Sequence, residues 1–196
     1  MANYSNQMRE NVQKLLTTEK FSGQKMALSK TVENLEKEKI PYAIAGEAEL
    51  YLQGLIDNFY SIDVLVEKGN LPKIVDLMNN RIGGIYLTGN EVSVSFQMGC
   101  VEVKFITRIS FISFETSFDY ELANVYEDKI LVDDHVISVL PLEILYVIYL
   151  LMGESNIAEI VKDELQDSFL PDIFKEILQK NNLPKEVKLK IEKFTE

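Results

Sequence analysis

Residues 42–66, YAIAGEAELYLQGLIDNFYSIDVLV, constrain the fold more than any other part of this sequence. Tyr42, Ala43, Ile44 and Ala45 form a short apolar run between Pro41 and Gly46, which reads as a buried strand ending in a tight turn. Residues 47–55 carry Leu50, Tyr51, Gly54 and Leu55 at roughly helical spacing, and Asp57-Asn58 is expected to break that helix. Residues 60–66 are strand-like again, with Asp63 inside the run. A strand, glycine turn, helix and strand in this order bring the Gly46 turn and the Asp63 carboxylate to one end of a sheet. Glycine lets the backbone approach a ligand closely, and a helix start offers N–H groups suited to a phosphate. A carboxylate facing that point suits a divalent cation that bridges to phosphates.

The flanking sequence predicts the rest of the architecture. Residues 8–21 and 25–39 read as two helices separated by Ser22-Gly23, and residues 70–80 as a third, with Asn70 as its cap and Pro72 in its first turn. Strands joined through that third helix are expected to lie parallel. Residues 85–87, 92–96 and 100–106 read as strands joined by short turns at Thr88-Gly89-Asn90 and Gln97-Met98-Gly99, hence as antiparallel hairpins. The expected fold is α/β (α+β): a mixed sheet of about five strands with helices against it. Residues 107–134 predict loop plus one or two edge strands, 135–140 a further strand, and 141–196 a helical C-terminal region. The expected division is 1–40 (N-terminal helices), 41–140 (mixed-sheet core) and 141–196.

In the run Cys100-Val101-Glu102-Val103-Lys104-Phe105, strand alternation puts Glu102 and Lys104 on one face and the apolar residues on the other. Two readings of Glu102 stand side by side: a Glu–Lys pair on an exposed strand face, or a carboxylate turned toward a cation.

The frame from Gly46 to Glu102 resembles the nucleotidyltransferase (DNA polymerase β-like) superfamily, most of all its small AbiEii-type branch. That pattern is a strand, Gly-Gly or Gly-Ser, a helix, then Asp-x-Asp in a strand, with a third carboxylate on a later strand. This chain has Gly46-Glu47, thirteen residues, and then Ser61-Ile62-Asp63. The resemblance implies transfer of a nucleoside monophosphate from a nucleoside triphosphate, with Asp63 and Glu102 as catalytic, Mg2+-binding carboxylates. It implies that Gly46, Glu47 and Ser61 contact the nucleotide. Three residues depart from the pattern: Ser61 stands in place of the first Asp, Glu47 in place of Gly or Ser, and Tyr149 in place of a lysine. These departures open the alternative of a degenerate nucleotidyltransferase-like binding or regulatory module, acting as a homodimer or with a protein partner.

Charge narrows the partners. The formal net charge of −11 repels a nucleic-acid backbone, so long duplex DNA is not the expected partner, whereas a nucleotide, a protein or an RNA end is compatible with it. The lysines of KEVKLKIEKF alternate with apolar residues as on a solvated helix face. Apolar runs fall short of the ~18 residues a membrane span requires, and the N-terminus lacks a signal peptide's apolar centre, so a cytoplasmic location is expected. The single cysteine, Cys100, permits no internal disulfide and reads as a small buried apolar residue. His135, flanked by Asp133-Asp134, reads as a surface histidine.

Overall fold

The computed structural model describes residues 6–82, 84–89, 92–122, 128–132, 135–166 and 169–194. The chain divides into two compact units. The first comprises Met1–Arg108 and Glu121–Val139, the second Ile109–Tyr120 and Leu140–Glu196.

The first unit is built on a seven-stranded mixed sheet. Its strands are β1 (Tyr42–Ala45), β2 (Ser61–Val66), β3 (Ile85–Gly89), β4 (Ser93–Met98), β5 (Val101–Ile106), and two later ones. These last lie at Asp128–Val132 and His135–Val139 and are β8 and β9 in chain order, after β6 (Ile109–Ile112) and β7 (Ser117–Tyr120) of the second unit. The spatial order is β3-β4-β5-β2-β1-β9-β8. β1 runs antiparallel to β2 and parallel to β9, while β2 runs parallel to β5, and the β3-β4-β5 meander is antiparallel throughout. β2 and β3 therefore point the same way, as their helical connection requires, with β5 and β4 between them.

Helices α1 (Asn6–Thr17), α2 (Ser22–Lys37), α3 (Gly46–Leu52) and α4 (Leu71–Leu77) accompany this sheet. Leu15, Leu28, Val32 and Leu35 from the helices join Ile44, Ile62, Val64, Phe96, Val103 and Phe105 from the strands in one buried cluster. Strand alternation selects those sheet residues as a single face. Each large side chain so buried contributes roughly 1.5–3 kcal/mol. The first helix is tied in by polar groups as well. Asn11 Nδ2 donates to the carbonyls of Tyr51 (3.0 Å) and Ile56 (2.8 Å), and the buried Tyr51 hydroxyl donates to the Asn11 carbonyl (2.8 Å). Reciprocal bonds of this kind satisfy groups that would be costly to bury alone.

Several sequence expectations are corrected. α2 begins at Ser22, so Ser22-Gly23 opens that helix; the break falls at a short 3-10 turn, Glu19–Phe21. α3 stops at Leu52 because Gly54 adopts φ +83°, with Gly54 N–H bonded to the Tyr51 carbonyl and Leu55 N–H to that of Leu50. This is a Schellman closure, which glycine in the left-handed region permits. Asn70 sits at the cap position of α4 without a side-chain cap bond, and a π-helical stretch, Met78–Ile82, extends that helix. The sheet has seven strands, two more than expected. Residues 107–134 supply β6, β7 and β8, whose short lengths and polar content hide them. Cys100 is exposed, not buried, because the turn between β4 and β5 falls at Gly99-Cys100, past the end of the apolar alternation. Thr88-Gly89 belongs to β3, and Gly83, Asn90 and Asp133-Asp134 lie outside the described residues. His135 instead faces acids from α2, at 3.5 Å from Glu36 and 3.8 Å from Glu33.

The second unit pairs β6 with β7 as a two-stranded sheet and carries α5 (Leu142–Met152), α6 (Ser155–Leu165), α7 (Pro171–Lys180) and α8 (Lys185–Glu192). Tyr149, at the position of the missing lysine, is buried on α5. Among the described residues, no helix is long and apolar enough to cross a membrane.

Candidate functional site

The site forms on the sheet face opposite the buried cluster, at the end of β1. Parallel pairing of β2 with β5 sets Ser61 beside Glu102 and Asp63 beside Lys104. Paired residues in a sheet share a face, as do residues two apart on one strand. Ser61, Asp63, Glu102 and Lys104 therefore all occupy one face, and β4 extends it with Ser95 and Gln97, which pair with Lys104 and Glu102. Burial follows the same alternation: Val101, Val103 and Phe105 are buried, while Glu102 and Lys104 are not. The Glu102 face is thus the one its sequence pattern predicts. Both readings of that residue meet here, since Lys104 stands next to it on the strand and Asp63 on the adjacent one.

Antiparallel pairing brings Ala45 opposite Asp63, so the turn after β1 meets the middle of β2. Gly46 opens that turn with φ +69°, and a Cβ placed there would lie 2.7 Å from Asp63 Oδ2. The carboxylate therefore fills the space that a side chain on residue 46 would take. Burial pushes the Asp63 carboxyl up to about 6; Lys104 opposes the shift, and Glu102 and Glu47 reinforce it. Lowered solvation and nearby like charges both disfavour the ionised form.

Glu47 acts as a brace. Its Oε2 accepts from the Tyr60 N–H at 2.9 Å, the Ser61 N–H at 3.2 Å and the Ser61 hydroxyl at 3.2 Å. The first turn of α3 is thereby fastened to the start of β2. The Ser61 hydroxyl is spent on Glu47, as are the N–H groups of Tyr60 and Ser61. α3 is only seven residues long and has Glu47 in its first turn, so its positive end is already met by an acid.

Glu49, on the same helix turn, carries no sequence motif that marks it out. It is fully buried, and neither carboxylate oxygen has a hydrogen-bond partner among the described residues. Burial raises its pKa well above the ordinary range, and the Asp128 charge adds to the rise. The available signal was local: residue 49 lies between Ala48 and the apolar run Leu50, Tyr51 and Leu52.

The residues do not fit a two-cation centre. Such a centre takes metals about 4 Å apart and a shared set of carboxylates. Asp63 and Glu102 are present, Ser61 offers a neutral hydroxyl, Glu47 is engaged, and Lys104 places a cation on the same face. Among the described residues, no group of three or more His, Cys, Asp or Glu side chains is placed to hold a metal ion.

No family model matches this sequence, and no curated protein matches it. Solved structures do. The lincomycin-bound lincosamide antibiotic adenylyltransferase LnuA is similar with a TM-score of 0.51 at 12% identity, over 69% of this chain and 94% of that one. TM1012 of Thermotoga maritima, a putative nucleotidyltransferase, is similar with a TM-score of 0.52 at 21% identity, over 72% of this chain and 91% of that one. Likeness at these identities is a likeness of architecture: the chain has the nucleotidyltransferase fold.

Proposed function

We propose that the Gly46 end of the sheet is a nucleotide-binding site on a nucleotidyltransferase fold that has lost the cation centre required for efficient transfer. The observation that carries this reading is the Glu47 brace. It closes the start of β2 by bonding Ser61, at the position where the resemblance calls for a metal-binding carboxylate. Gly46 keeps the close backbone approach, and Lys104 supplies a cation on the floor of the site. The AbiEii-type branch, with its degenerate motif, is the part of the superfamily this chain is proposed to resemble.

The competing reading is a working enzyme that transfers a nucleoside monophosphate to an acceptor with Mg2+. It is favoured by Asp63 and Glu102 lying on one face of adjacent strands. Fold does not decide between the two, because one fold hosts many chemistries.

Calorimetric titration with nucleoside triphosphates, with and without Mg2+, separates them. The expected result is weak binding that Mg2+ improves less than about tenfold, a gain of under about 1.4 kcal/mol, without pyrophosphate release. Affinity is also expected to fall as pH climbs through about 6, where Asp63 gains the charge that repels phosphate. Mg2+-dependent pyrophosphate release that Asp63→Asn abolishes would establish the enzyme instead.

A further inference from the structure

The second unit holds a cavity of about 510 Å³, within the range of small-ligand sites. Aromatic rings form one side of it. Phe194 lies 5.6 Å from Tyr146 and 5.6 Å from Phe169, ring centre to ring centre, and all three line the cavity. Phe174 backs Phe194 at 5.2 Å, which holds the ring in place from behind.

Lysines form the other side. Lys162 comes from α6, Lys190 from α8, and Lys193 from the turn after it. One acid, Glu159, lines the cavity with them. Glu159 is bonded to Lys162, three residues on, and their mutual attraction answers one lysine with one carboxylate. Asp163 further tempers Lys162. Among the described residues that line the cavity, Lys190 and Lys193 are in excess. Their field reaches Glu159, whose carboxyl is held below its usual range first by the Lys162 hydrogen bond and then by these charges. A protein of net charge −11 has thus gathered surplus positive charge beside a set of aromatic rings. A solvated helix face explains lysines alternating with apolar residues; it does not explain a cavity between them.

We propose that this cavity binds a small planar aromatic anion, with its ring against Phe194 and Phe169 and its phosphate or carboxylate between Lys190 and Lys193. Aromatic faces accept stacked rings irrespective of sequence or substituent, and ammonium groups hold phosphate as point charges. The site is separate from the Gly46 site and does not depend on it.

The test uses the full chain and calorimetry with five probes: AMP, phenyl phosphate, benzoate, adenosine and inorganic phosphate. Phenyl phosphate is expected to bind at least about tenfold more tightly than inorganic phosphate, and AMP more tightly than adenosine, since each pair differs in one of the two features; benzoate tests whether a carboxylate replaces the phosphate. Replacing both Lys190→Ala and Lys193→Ala should weaken the bound anion by about tenfold or more, and Lys190→Arg with Lys193→Arg should restore it. These lysines lie at the surface, so neither pair of changes threatens the fold. Gly46→Ala should leave phenyl phosphate binding unchanged, which distinguishes this site from the one in the first unit. AMP binding tighter than that of benzoate and phenyl phosphate, weakened by the two alanine changes and unchanged by Gly46→Ala, would narrow the natural ligand to a nucleotide and support the assignment. Inorganic phosphate binding as tightly as phenyl phosphate, equal binding by the alanine and natural chains, or no binding by any probe would overturn it.

Discussion

Glu49→Gln is expected to stabilise the protein at pH 7 by about 1–3 kcal/mol. Glu49 is wholly buried with both oxygens unpartnered, and burial is the main reason its pKa lies well above the ordinary value. The sign follows from linkage. An unfolded glutamate releases its proton near pH 4.3, whereas the folded one retains it to higher pH. Between those two pKa values the unfolded state binds fewer protons, so stability falls as pH rises. Its contribution is fully present below the unfolded pKa and is lost progressively above it. Glutamine has the same shape without the charge and removes this slope. Urea unfolding of both proteins at pH 4.5 and 7 measures it: the two should nearly coincide at the lower pH and separate at the higher. A glutamine variant less stable at pH 7 would mean that the carboxylate has a partner that stabilises its charged form. Glu49→Met, which removes both polar atoms, should stabilise at least as much.

Gly46→Ala is expected to cost about 1–3 kcal/mol and to dislodge Asp63. Two effects combine. The φ of +69° disfavours any L side chain, and the new Cβ would stand 2.7 Å from Asp63 Oδ2. A double-mutant cycle separates them. In an Asp63→Ala background only the backbone strain remains, so Gly46→Ala should cost less there, with a coupling of about 0.5 kcal/mol or more. Additive costs would mean that Asp63 does not occupy the space beside Gly46. A neutral Gly46→Ala would remove the basis for a close-approach turn.

The two predictions concern residues of unequal legibility. Gly46 and Asp63 could be placed from sequence because short apolar runs on either side fix two strands, and a glycine at a strand end marks the turn. Glu102 followed from period-two alternation, which a one-residue slip would have reversed. Glu49 was only faintly legible: sequence reports two acids in one short helix, but not that Glu49 is buried while Glu47 is exposed. Cys100 failed for a related reason: the apolar run beginning at Val101 gives no sign that the chain turns one residue earlier. Residues 107–134 were expected to hold one or two edge strands: β8 is an edge strand of the main sheet, and β6 and β7 form a sheet of their own, whose alternation answers to a different core. The tail lysines were read by their helical spacing, which is correct for α8, but spacing cannot show that Lys190, Lys193 and Phe194 line a cavity with residues of α5 and α6.

The central claim is that Ser61 and the Glu47 brace, set in an otherwise intact nucleotidyltransferase fold, remove the cation centre. The most direct measurement compares Mg2+-dependent nucleotide affinity of the natural chain with that of the double variant Ser61→Asp, Glu47→Ser. The variant returns a carboxylate beside Glu102 and frees the Tyr60 and Ser61 N–H groups. The account predicts weak binding, little affected by Mg2+, for the natural chain, and a Mg2+-dependent gain of about tenfold or more for the variant. Tight Mg2+-dependent binding by the natural chain, lost in the variant, would contradict it.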